Sequence, residues 1–120
     1  MNQTVNILGT EYLIRHINYE DESHFEKEEF VGWCSTVRKE IVIGRLSTFP
    51  NFRGEDHSVL EDLEKRTLRH EIVHGFLIES GLDVNSLECC EGWAVNEEMV
   101  DWFAFQGQKI YKAWEEAGAL

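Results

Sequence analysis

The sequence predicts an α+β fold in which a small N-terminal antiparallel sheet packs on a long central helix and one or two C-terminal helices. Three observations predict it. β-forming residues gather in segments 4–17 and 31–47, an apolar series at helical spacing runs from Leu60 to Leu77, and a second amphipathic stretch fills residues 92–117. With 120 residues, the chain reads as a single domain, 1–120, able to bury one modest core. Hydrophobic residues make up 42% and charged residues 28%, a balance that belongs to globular rather than disordered chains.

The elements follow in order. In segment 4–17, Val5, Ile7, Tyr12, Ile14 and Ile17 supply β-formers, and Gly9 marks a turn between two short strands. Residues 18–30 are polar and acidic and read as a surface loop, with a helical turn anchored by Phe25 and Phe30. Segment 31–47 reads as a hairpin with Arg38 and Lys39 near its turn, and Glu40-Ile41-Val42-Ile43-Gly44 is the clearest strand. The only proline, Pro50, stands with Asn51 and Gly54 in a loop from Ser47 to Glu55. A helix then starts near Ser58, where Ser58-Val59-Leu60-Glu61 fits a capping box. Leu60, Leu63, Leu68, Ile72, Val73, Phe76 and Leu77 keep helical spacing up to Gly81, a natural residue just past a helix end. Beyond it, residues 92–105 and 108–117 read as helix, with Gly107 as the expected break.

Charge and cysteine usage bound the partners. A formal net charge of −12 repels phosphate backbones, which argues against nucleic acid and in favour of basic or neutral partners. The apolar runs are too short to cross a bilayer, and Met1-Asn2-Gln3-Thr4 lacks the basic and apolar regions of a secretory leader. Of three cysteines, Cys89 and Cys90 are adjacent and Cys34 stands apart. Such a set is no disulfide framework and fits a reducing cytoplasm.

The chemistry concentrates in His70-Glu71-Ile72-Val73-His74. Side chains four apart stack on one helix face, so both imidazoles can share one metal ion. Glu71, next to the first histidine, can take a proton from a water polarised by that metal without binding the ion itself. The longer pattern with a third histidine is absent, because Leu77 and Ser80 occupy its glycine and histidine positions. A third ligand is offered downstream. Glu97 follows His74 by 23 positions, enough for a loop and the first turn of a returning helix. Asp101, four residues later on the same face, could accept a hydrogen bond from the free nitrogen of a ligating histidine and fix its ring. Glu98 is the rival ligand, turned about 100° away on a helix; Asp101 at i+4 favours Glu97.

His70-Glu71-x-x-His74 followed by Asn96-Glu97-x-x-x-Asp101 resembles the gluzincin pattern of thermolysin-type zinc peptidases. Asp101-Trp102-Phe103-Ala104 resembles the corresponding helix of ImmA/IrrE-type peptidases, and the layout is similar to small phage- and prophage-encoded metallopeptidase-like proteins. The resemblance spans roughly residues 31–105. It implies a minimal zincin fold, Zn2+ held by His70, His74 and Glu97, Glu71 as catalytic base, Asp101 behind a histidine, and hydrolysis of a protein or peptide substrate. It also implies an edge strand beside the cleft to which substrate adds, for which residues 40–44 are the candidate. His16, His57 and Tyr111 are the side chains available to stabilise an oxyanion. Cys89 and Cys90 could instead close a structural zinc site with the histidines, and Trp93, Trp102 and Trp114 read as core packing. The alternative function is a non-enzymatic, zinc-stabilised interaction module of a mobile element.

Overall fold

The computed structural model describes residues 3–83 and 95–120. Cys89, Cys90, Trp93 and the first residues of the expected 92–105 helix lie outside the described residues.

The chain is α+β, with a four-stranded sheet and two long helices. Strands β1 (Gln3–Ile7) and β2 (Thr10–Ile17) form an antiparallel hairpin in which Ile7 pairs with Thr10. Its two-residue turn, Leu8-Gly9, has positive φ at both positions, as the twist of a tight hairpin demands. The connection over residues 18–39 contains the short helix α1 (His24–Lys27) and strand β3 (Gly32–Ser35) before reaching β4 (Glu40–Gly44). That length allows β4 to return beside β2 in the same direction. The strand order is therefore β1-β2-β4-β3, with β2 and β4 parallel and β3 antiparallel to β4. The sheet is mixed, not purely antiparallel as the hairpin pattern alone suggested.

This order corrects the expected position of the edge. β4 is paired on both sides, so it offers no free backbone to a substrate; β3 is the edge instead. The unbroken apolar run of β4 has the same origin. Ile41, Val42 and Ile43 are all fully buried, because both faces of the strand are covered. Ile41 and Ile43 join Ile7, Tyr12 and Ile14 under Leu68 and Ile72, while Val42 packs with Phe25, Leu46, Phe49 and Leu60. Each isoleucine buried this fully contributes about 1.5–3 kcal/mol. Phe25 anchors α1 as expected, whereas Phe30 is half exposed and does not.

The central helix α2 spans His57–Glu79. Asp56, not Ser58, caps it: its carboxylate accepts from the Ser58 amide at 3.0 Å and the Ser58 hydroxyl at 2.9 Å. At the other end Gly81, at φ 83°, donates to the Ile78 carbonyl while the Leu82 amide donates to Leu77, closing a Schellman motif. Between these ends α2 lies on the sheet so closely that two glycines set the distance. A Cβ on Gly32 would come within 2.9 Å of Thr67 Cγ2, and one on Gly75 within 2.7 Å of Ile7 Cδ1. The Gly32–Thr67 contact, together with Cys34 Sγ at 3.7 Å from the same point on Gly75, sets β3 along α2.

Helix α3 spans Glu97–Glu116 behind an Asn96 cap that accepts from the Met99 amide at 2.8 Å. It runs unbroken through Gly107, so the expected break there is wrong; one glycine costs a helix only about 1 kcal/mol. Val100 and Ala104 are buried, and Arg69 Nε of α2 donates to the Ala104 carbonyl at 2.9 Å. Trp102 and Trp114 point outward, half exposed, and are not core. Among the described residues no helix is long and apolar enough to cross a membrane.

Candidate metal centre

His70, Glu71 and His74 lie in the fourth and fifth turns of α2, on the side that faces α3 and the β3 edge. The helical rise brings residues four apart into register, and the two Nε2 atoms stand 3.0 Å apart. One donor atom from each of the three residues falls within 4.8 Å of the others, so the group could hold a metal ion.

Two side chains from the first turns of α3 reach the same point. Glu97 Oε1 is 2.8 Å from His74 Nε2, and its Oε2 is 3.3 Å from His70 Nε2. Asp101 Oδ1 is 2.7 Å from His70 Nδ1. With Nδ1 donating to that carboxylate, a neutral His70 keeps the lone pair of Nε2 for the shared point. Glu98 makes no ion pair with either histidine among the described residues, as its rotation on the helix requires.

The Glu71 environment differs from that of the other carboxylates. Glu97 and Asp101 are two-thirds or more exposed, whereas Glu71 is buried, 7% accessible. Burial holds its carboxyl above the ordinary range, outweighing the opposing pull of His70 and His74. Its Oε1 is 3.9 Å from His70 Nε2, farther than either Glu97 oxygen from its histidine. A nearby group with a raised pKa that does not touch the histidines is suited to holding and passing a proton.

These residues line an open cleft of about 690 Å³ whose other wall is β3, from Gly32 to Cys34, with Phe30 and Val31 before it. Cys34 is half-buried in that wall, its thiol pushed up to about 12 by burial first and by Glu71 and Glu79 second. The expected oxyanion groups lie elsewhere. His16 and His57 share a separate hollow of about 230 Å³ with Arg45 and Ser47, and Tyr111 is exposed ten residues, about 15 Å, beyond Asp101 on α3. Sequence reasoning missed Arg66, which lines the cleft four residues before His70. The same four-residue spacing that pairs the histidines was the signal for it.

No family model, curated protein or solved structure matches this chain.

Proposed function

We propose that this chain is a zinc-dependent peptidase of gluzincin type, with His70, His74 and Glu97 holding the ion and Glu71 acting as general base. The observation that carries the reading is the convergence of two imidazole Nε2 atoms and the Glu97 carboxylate, at separations of 2.8, 3.0 and 3.3 Å. Donors in a tetrahedral zinc shell with bonds of about 2.0–2.1 Å lie about 3.3 Å apart, so this donor set fits the ion in type and spacing. A zinc ion supplies Lewis acidity that brings the pKa of water toward neutrality.

The chain's own residues divide the remaining work. Glu97 is preferred over Glu71 as the third ligand because its oxygens lie closer to both histidines. Glu71, buried and set back, accepts the proton of the attacking water on a carboxylate oxygen and returns it to the amine nitrogen as the peptide C–N bond breaks. Asp101 holds the His70 ring through Nδ1. The exposed backbone of β3 runs beside the centre and offers an extended peptide its hydrogen bonds. The acidic surface and the cleft shape support a protein or peptide substrate, basic or neutral overall, over nucleic acid. The resemblance of the motif to phage- and prophage-encoded metallopeptidase-like proteins supports a place among mobile-element functions, and the cysteine usage supports the cytoplasm.

The remote positions of His16, His57 and Tyr111 favour a second reading, a metal-stapled interaction module without turnover. One pair of measurements separates the two. Purified protein should contain close to one zinc per chain, falling sharply in His70→Ala. Glu71→Gln should retain the zinc while cleavage of a mixed peptide library drops by about 10²–10⁴-fold. Full zinc without cleavage in the unaltered chain supports the staple; equal cleavage by Glu71→Gln refutes the base.

A further inference from the structure

Within the cleft, Arg66 is the only lysine or arginine among the described lining residues, all the other charged groups there being histidine or carboxylate. It stands on the same stripe of α2 as His70, His74 and Ile78, each four residues from the next, and all four line the cleft. Its neighbours on the sequence are engaged: Arg69 donates to Ala104 and Lys65 pairs with Glu61. The Arg66 guanidinium makes no hydrogen bond or ion pair among the described residues, although Glu29 lines the same cleft. A guanidinium left unpaired in a chain with a net charge of −12 is available to a carboxylate from outside.

Geometry sets the distance at which it acts. Four residues of helix rise about 6 Å, and an extended peptide advances about 3.3 Å per residue. Since β3 lies along α2, a peptide beside β3 passes His70 and reaches Arg66 about two residues away. We propose that Arg66 is a specificity residue that receives the carboxylate of an Asp or Glu side chain about two residues from the bond held over His70 and His74. This rests on the peptidase reading and adds a substrate class to it: a peptide that is neutral or basic overall but carries one acid at a fixed distance from the cut. The global negative potential is screened over about 10 Å, so the nearest cation decides at this position.

The test reads binding rather than turnover. Fluorescein-labelled heptapeptide pools, with Glu, Gln or Lys fixed at one position and a neutral mixture elsewhere, are titrated by anisotropy against full-length Glu71→Gln protein as purified. At one fixed position the Glu pool should bind about fivefold tighter than the Gln pool. Adding Arg66→Gln should erase the preference, and Arg66→Glu should reverse it toward the Lys pool. No Glu preference at any position, the same preference without Arg66, or no binding by any pool overturns the proposal. Zinc content and cleavage by the unaltered chain are followed in parallel. Cleavage without acid preference sinks the Arg66 role alone, whereas acid-selective binding without cleavage sinks the hydrolytic reading and leaves Arg66 standing.

Discussion

Asp101 Oδ1 and His70 Nδ1 meet at 2.7 Å across the gap between α3 and α2. The contact fixes the orientation of the imidazole, and it does so from a carboxylate that is itself 71% exposed. Removing it frees the ring and lets either nitrogen carry the proton. Asp101→Ala should therefore weaken zinc affinity by about 10–100-fold while the circular dichroism spectrum stays the same. A chelator competition titration measures this; unchanged affinity would remove Asp101 from the centre.

Glu97 and Glu98 provide an internal control, being adjacent, equally acidic and both in the first turn of α3. Only Glu97 lies against the histidines. Glu97→Gln should lower zinc occupancy in a stoichiometric titration, and Glu98→Gln should leave it at the unaltered level. If the two variants behave alike, the third ligand has been misassigned.

The motif helix and its partner were legible in the sequence because both depend on i, i+4 spacing, which fixes a shared face without reference to the rest of the fold. His70 with His74, and Glu97 with Asp101, follow from that rule alone. The edge strand did not, since the apolar run Ile41-Val42-Ile43 reports burial on two faces but not which strands flank it. Trp102 and Trp114 failed for a related reason: helical spacing defines a stripe, and packing decides whether the stripe faces core or water. At the start of α2, Asp56 and Ser58 are both cap-forming residues two positions apart, and only the backbone geometry distinguishes them. Arg66 escaped notice because no pattern of zinc ligation requires a cation there.

Glu79 joins three elements at the far end of α2. Its Oε1 accepts from Tyr12 of β2 and pairs with Lys39, just before β4, at 2.7 Å. The hydrogen bond from Lys39 first, and that from Tyr12 second, hold its carboxyl below the ordinary range. A carboxylate with a lowered pKa in the folded chain adds stability that is present above the unfolded pKa, about 4.3 for glutamate, and is lost as pH falls below it. The unaltered chain should thus lose urea stability more steeply on acidification through that window than Glu79→Gln. Parallel curves for the two would place the acid sensitivity elsewhere.

Cys34 should behave as an inert thiol. With its pKa pushed up to about 12 and an unfolded cysteine near 8.5, its thiolate fraction at pH 8 falls by at least about a hundredfold on folding. Mass-spectrometric mapping of iodoacetamide adducts should find Cys34 labelled at least about a hundredfold more slowly in the native chain than in urea. Comparable rates would mean that the β3 wall opens readily.

Gly75 follows His74 directly, and the space its missing side chain leaves is filled by Ile7 of the first strand. The second imidazole is thereby referenced to a residue near the start of the chain that carries no chemistry. A single added methyl at position 75 would come within 2.7 Å of Ile7 Cδ1, so either that fully buried side chain shifts or the helix does, carrying His74 away from a carboxylate it meets at 2.8 Å. A position with no side chain to lose should then still be sensitive: in a saturation screen scored on metal retention, losses at position 75 should grow with the size of the residue introduced, the strand's isoleucine acting as a stop against which the centre is set.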